Sequence, residues 1–448
     1  MTFVQSVPFL RSQIFPSMLQ RILRHFTARV LTAGLGFAVV WLTARYLGAA
    51  GRGQISLFLT DVSGLALLAG LVGGSSLIYL VPRRNVWLLL RPAYAWGALV
   101  SVVGAAVITL LRPVGAAYGL HLAAVALVQG LLSVNLLLLL GRQREQTYNL
   151  LTTVQAALLA LALALAYAGA HWLRIEAYYY ANYLAYGLPW GISTALLLRL
   201  PDAWVASPRR GRAGARELAR HSRGAHLSNL LAFANYRFSY YAVAALAGPA
   251  ALGVLSVGVA LAEAIWLIPR STALIQYVAL VNAADKRGQT HAALRGSRLT
   301  LLATAGAVLG LAAVPAGWLA ALFGPEFGAA HDVILALAPG ILLNGAGMQA
   351  STYFAGVGRY GVNNRATLLG LALTVPGSLL LVPRLGIIGA ALSMTLAYTA
   401  GTLYLFGCYR RAIGATWADL LPGPADVRWL AGREGRQEEQ KARPGTSA

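Results

Sequence analysis

The sequence predicts an all-α polytopic membrane protein of about twelve transmembrane helices, and three observations carry that reading. Of 448 residues, 58% are hydrophobic and only 11% charged, against about 25% charged in a soluble domain. A soluble chain of this length would need a polar surface to cover its core, and this one lacks it. Apolar runs of about 20 residues, the length that crosses a bilayer, recur from end to end. The positive charges gather in the gaps between those runs.

A window of about 17–25 residues places the spans at 27–48, 54–80, 88–111, 118–140, 148–170, 178–199, 226–247, 251–278, 299–322, 332–355, 366–383 and 386–408. Only residues 384–385 separate the last two. The central stretch RLPDAWVASPRRGRAGARELARHSRGAH divides six spans from six, and its Pro, Gly and Arg content marks a surface linker. The divisions that follow are a cytoplasmic lead-in over 1–26, a six-helix bundle over 27–199, a basic linker over 200–225, a second six-helix bundle over 226–408 and a tail over 409–448. The tail ends in GREGRQEEQKARPGTSA, too polar to bury a core, and reads as disordered. The N-terminus, MTFVQSVPFLRSQIFPSMLQRILRHF, has neither the compact apolar core nor the small-residue cleavage site of a signal peptide. It reads as the lead-in to an uncleaved first span.

Charge supplies the orientation. With the N-terminus inside, 29 of the 36 Lys and Arg residues fall on the inner side. The outer side holds Arg45, Arg52, Arg112, Arg174 and Arg384, and Arg237 and Arg270 lie within spans. Such a split places both termini in the cytoplasm, as in a multi-pass protein of the inner (cytoplasmic) membrane. The net charge of +22 would suit nucleic acid if it formed one soluble face. It is spread over short gaps instead, so no nucleic-acid partner is expected, and the basic loops suit anionic membrane lipids.

The single cysteine, Cys408, excludes a disulfide framework and a cysteine-ligated metal site. The seven histidines form no HxxxH pair. No acid pair, triad or metal cluster suggests an enzyme, and no cofactor is expected. No P-loop is present, so the energy source is an H+ or Na+ gradient, or the lipid's own, rather than ATP. The outer segment HWLRIEAYYYANY reads as an interfacial aromatic belt ahead of a sugar-stacking surface. Small-residue runs such as LTAGLGF, LAGLVGGSS, LNGAGMQAS and LGIIGAALS read as close helix packing.

Ionisable groups at membrane depth face a wet cavity or a partner. Arg237, in FANYRFSYYAVAAL, lies near the midplane of the seventh span, and Glu263 lies at comparable depth in the eighth. The two are either an ion pair or the lining of a cavity that binds an anionic headgroup, the arginine fork matching phosphate oxygens; both readings stay open. Arg270, at i+7 from Glu263, shares its helix face or snorkels to the inner interface. Asp61, in the second span, reads first as a contact between helices. Arg45 and Arg52 flank the outer turn between spans one and two.

The stretch ARYLGAAGRG at 44–53 resembles the outer turn of the oligosaccharide-lipid flippases of the multidrug/oligosaccharidyl-lipid/polysaccharide (MOP) exporter superfamily. NYRFSYYAVAALAGPAALGVLSVGVALAEAIWLIPRS resembles that family's seventh and eighth spans, with an Arg near an acid and a G-P-x-x-x-G turn. ALFGPEFGAAHDVILALAPG, FAGVGRYGVNN and LVPRLGIIGAALSMTLAYT resemble its ninth to twelfth spans, so the likeness runs over about residues 20–410. It implies a MOP/MATE-like fold, two six-helix bundles rocking about a central cavity. The implied cargo is a polyprenyl-pyrophosphate-linked oligosaccharide of an O-antigen, capsule or exopolysaccharide, carried from the cytoplasmic to the periplasmic leaflet. Contacts with the polysaccharide-assembly machinery are a further implication. Arg237 and Glu263 stand at matching motif positions. The family often has an aspartate two residues after that arginine; here Ser239 stands there, which leaves Glu263 and Asp61 as the acids for coupling. The cavity candidates are therefore Arg237, Arg270, Glu263, Asp61, Arg45 and Arg52.

Three other readings compete with this one. A drug or cation exporter of the same fold favours a negatively charged cavity, against the arginines found. A membrane-embedded polysaccharide polymerase or ligase carries a large periplasmic loop, whereas the longest outer loop here is about ten residues. A scaffold needs no charge at the midplane.

Overall fold

Without water in the bilayer, backbone N–H and C=O groups must pair within their own segment, and over the described residues the predicted spans fold largely as helix, with 274–278 of the eighth lying outside those residues. The computed structural model describes residues 8–202, 208–273 and 286–423. Its helices are α1 (Pro8–Gly73), α2 (Ser76–Leu80), α3 (Val86–Leu111), α4 (Ala116–Gly141) and α5 (Glu145–Ala164), extended by a π-helical turn over Leu165–Gly169. Next come α6 (Ile175–Leu198), α7 (Pro208–Leu246), α8 (Gly248–Ala264), α9 (Lys286–Ala312) and α10 (Ala316–Phe323). A 3-10 turn over Pro325–Ala329 leads to α11 (Ala330–Gly356), α12 (Tyr360–Ile413) and α13 (Trp417–Leu420).

Two of these elements each contain two spans. α1 breaks at Gly48 (φ 68°) and α12 at Gly386 (φ 58°), a backbone region that glycine enters without steric cost. The narrow gap expected at 384–385 is thus a single reversed residue. Among the described residues, seven helices are long and apolar enough to cross a membrane, and α9 with α10 forms a further candidate bent by 77°. The tyrosine-rich α6 and the apolar end of α7 match the two remaining predicted spans. The chain is a multi-pass all-α membrane protein.

It divides into two compact units, one of Met1–Leu47 with Phe58–Leu227, the other of Gly48–Leu57 with Ser228–Ala448. The core of the first unit joins Leu77 and Leu80 of α2, Val86 and Leu89 of α3, Leu138 and Leu139 of α4 and Leu197 of α6. Leu218 of α7 belongs to it as well, with none of its surface exposed. The basic stretch expected as a surface linker over 200–225 is therefore helical from Pro208 and docked. Ala215, Leu218, Ala219 and Ser222 recur at helical spacing, and Ser222 donates to Ser76 at 2.7 Å. Arg84 clamps Glu217 at 3.0 and 3.2 Å, which holds the exposed Arg84 guanidinium still more firmly charged, chiefly through that hydrogen bond. Arg142 grips both oxygens of Asp202 at 2.6 and 2.7 Å.

The second unit centres on α8, buried without interruption from Leu252 to Val259. Small residues bring backbones close there, as expected of such runs. A Cβ on Gly258 would collide with Val333, one on Gly347 with Thr402 and one on Gly377 with Ser393. Gly34 and Gly36 of LTAGLGF differ: both are exposed, and a Cβ on either meets nothing within 4 Å. Of the tail, α12 extends to Ile413 and a capping box between Thr416 and Asp419 starts α13. Residues 424–448, including the polar run read as disordered, lie outside the described residues, as does 203–207 of the expected linker.

Candidate functional site

Arg237 and Glu263 are joined as a fork, with both contacts, Nη1 to Oε1 and Nη2 to Oε2, at 3.2 Å. The sequence arranges this in three steps. In a helix each Cβ tilts toward the N-terminus, so the Arg237 side chain leans back along α7, away from its Leu246 end. The short turn at Ala247 and Gly248 (φ 86°) sets α8 running back alongside α7. Glu263 then sits in the last turn of α8, where Pro269 disturbs the helix. Proline offers no N–H and crowds the carbonyl four residues before it, and Ile265–Trp266 form a turn in which Trp266 N–H bonds the Glu263 carbonyl at 3.0 Å.

Aromatic groups frame the pair. The Arg237 guanidinium lies 5.1 Å from the centroid of Tyr240, within cation–π range. Tyr236, Trp266 and Tyr398 pack as a trio with centroids 5.5–5.7 Å apart. The Tyr398 hydroxyl is buried and has no hydrogen-bond partner among the described residues. Side-chain exposures of 30% for Arg237 and 20% for Glu263 leave the pair open to a third group.

Of the other predicted site residues, Arg52 and Arg270 belong to the second unit and Asp61 and Arg45 to the first. Arg52 is buried in the second unit, where its Nε donates to Ser256 at 3.2 Å. Asp61 is 1% exposed in the first unit and is held by Arg112 and by the Tyr118 hydroxyl. Arg45 is exposed on α1. Arg270 follows Glu263 on the same span, Gly248–Ala273, past the turn at 265–266, and is exposed beyond Pro269.

Ser239 starts a neutral chain: Ser239 meets Ser378 at 2.9 Å, Ser378 meets Ser393 at 3.1 Å, and Ser393 donates to the Thr374 carbonyl. Hydroxyls satisfy one another here, with no carboxylate in the chain.

No protein-family model matches the sequence. An inward-facing multidrug-resistance MATE transporter of the MOP superfamily shares the architecture at TM-score 0.69 and 17% identity, over 87% of this chain and 94% of that one. The lipid II flippase MurJ in an inward closed conformation follows it at TM-score 0.67 and 11% identity, over 95% and 93% of the two chains. The chain shares the fold of these two proteins. A MOP transporter from Pyrococcus furiosus aligns at TM-score 0.61 and 15% identity, over 88% of this chain and 95% of its own. In sequence, the capsular polysaccharide biosynthesis protein CapF of Staphylococcus aureus is 30% identical over 93 residues, 21% of this chain. The match spans only 24% of the length of CapF.

Within this fold, several partners are not legible in the sequence. In sequence Arg112 is an outer-loop charge and Tyr118 the first residue of a span, yet both hold Asp61. Glu326 accepts a hydrogen bond at 2.7 Å from the Ala49 N–H, capping the helix that restarts after Gly48 from 277 positions away. Tyr240 did carry a signal, since it sits at i+3 from Arg237 on the same helix face.

Proposed function

We propose that the protein is a flippase that moves a polyprenyl-pyrophosphate-linked oligosaccharide across the cytoplasmic membrane by alternating access. The observation that carries this reading is the Arg237–Glu263 fork, a two-point grip by a permanently charged guanidinium left partly open at membrane depth. Phosphate oxygens match a guanidinium as a carboxylate does. A pyrophosphate therefore competes with Glu263 for Arg237, and the buried Tyr398 hydroxyl offers a further donor beside it. The displaced Glu263 carboxylate then needs a new counter-ion, which a coupling gradient of H+ or Na+ can supply. The likeness to a protein named lipid II flippase and the short match to a capsule biosynthesis protein support the same cargo class. Arg270, Arg52, Arg45 and Asp61 are assigned no contact with cargo in this scheme.

The test uses proteoliposomes containing a fluorescent polyprenyl-pyrophosphate disaccharide, with folded yield measured in parallel. Arg237→Ala should abolish translocation while leaving the protein inserted. Arg237→Lys restores charge without the fork and should rescue in part. If Arg237 serves only to pair with Glu263, each single alanine leaves a charge without its partner, and the double variant recovers transport. That recovery would overturn the cargo-binding role, and ethidium transport in place of the lipid would favour a drug exporter.

A further inference from the structure

We propose that the inner end of the second unit carries a separate site for the phosphate-bearing headgroup of an anionic phospholipid. A cavity of about 490 Å³ opens between the two ends of α12, within the range of small-molecule sites, roughly 300–1,000 Å³. Arg359 caps the start of α12, Arg365 follows in its second turn, and Arg411 returns in its last turn because the break at Gly386 folds the element back on itself. All three arginines line the cavity, and Phe354 and Val362 give it an apolar wall. None of its described lining residues is acidic.

Three exposed guanidiniums around one cavity, with no carboxylate among them, form an incomplete ionic arrangement. Their planar forks match phosphate oxygens. Gly361 also lines the cavity, and a Cβ there would meet nothing within 4 Å, so an anion can approach the backbone of the first turn of α12, the positive end of the helix dipole. Scattered inner-side arginines that merely follow topology need not converge in this way.

The surroundings favour a lipid over a soluble phosphate. Val357 and Tyr360, at 51% and 58% exposure, stand beside the arginines, and tyrosine is enriched where headgroups meet the hydrocarbon. Along the same helix, Leu368 and Leu369 are exposed, offering an apolar surface on which acyl chains can lie. Basic pockets between transmembrane helices on the cytoplasmic side bind acidic headgroups by the same physics.

The full-length protein, delipidated in detergent, is titrated by native mass spectrometry with phosphatidylglycerol, cardiolipin and phosphatidylethanolamine of matched acyl chains, and separately with inorganic phosphate. Both anionic lipids should bind in preference to the zwitterionic one. Arg359→Gln and Arg411→Gln should each weaken that binding about fivefold, and together about tenfold or more. Arg174→Gln, in the first unit, should leave it unchanged. Melting temperatures on the same samples report folding, and the single variants decide the matter if the double variant fails to fold. Equal binding of phosphatidylethanolamine, or unchanged affinity in the Gln variants, would overturn the site. Displacement of the lipid by millimolar inorganic phosphate would overturn the lipid assignment in favour of a soluble anion.

Discussion

Gly53 and Gly253 meet their neighbours reciprocally. A Cβ on Gly53 would fall on the carbonyl of Pro249, and a Cβ on Gly253 would fall on the carbonyl of Ala49. Each follows, at the same interval, a turn glycine with positive φ, Gly48 at 68° and Gly248 at 86°. The helix starts after those two turns thus cross at glycine on both sides, with a local two-fold relation. Arg52 and Ser256 fasten the same contact.

The first prediction concerns that crossing. Gly53→Ala and Gly253→Ala should each destabilise the protein by about 1–3 kcal/mol, because an added methyl meets backbone that cannot rotate away. Thermal unfolding in detergent measures this. A melting temperature equal to wild type in both variants would show that the helices separate freely, contrary to the packing.

The second prediction concerns Asp61, at 1% exposure beneath Arg112. Removing Arg112 alone leaves a buried carboxylate without its cation, at a cost of about 3–5 kcal/mol. Arg112→Gln should therefore lower folded yield sharply, and Arg112→Gln with Asp61→Asn should restore most of it. A double variant no better than the single would mean that the two residues act independently.

A third prediction tests the docked basic helix. Leu218→Ala empties a fully buried site and should cost about 2–5 kcal/mol locally. Hydrogen exchange over 214–222 should rise while exchange over α4 stays slow. Unchanged protection over 214–222 would place the helix elsewhere.

The fourth prediction is topological and rests on the charge split. Reporter fusions at 112–117, 247–250 and 324–330 should read periplasmic, and those at 209–223 and in the tail cytoplasmic. A periplasmic signal from 209–223 would reverse the assignment.

The sequence by itself determined the spans, because lipid demands continuous apolar helix and that demand is local. It also marked Arg237 and Glu263, since a charge at membrane depth needs a reason wherever the chain folds. It carried the helical spacing of Ala215, Leu218, Ala219 and Ser222 too, but the surrounding arginines, glycines and prolines masked that signal as linker. Partnership was decided only by the tertiary structure. Glu326 lies 277 positions from Ala49 and Arg52 lies 204 from Ser256, separations at which neither local spacing nor charge type indicates a partner. Arg112 looked like an ordinary outer charge until folding set it over Asp61. Which charges meet depends on where helices cross, and that is fixed by small residues at a few contacts, such as Gly53 on Pro249 and Gly253 on Ala49.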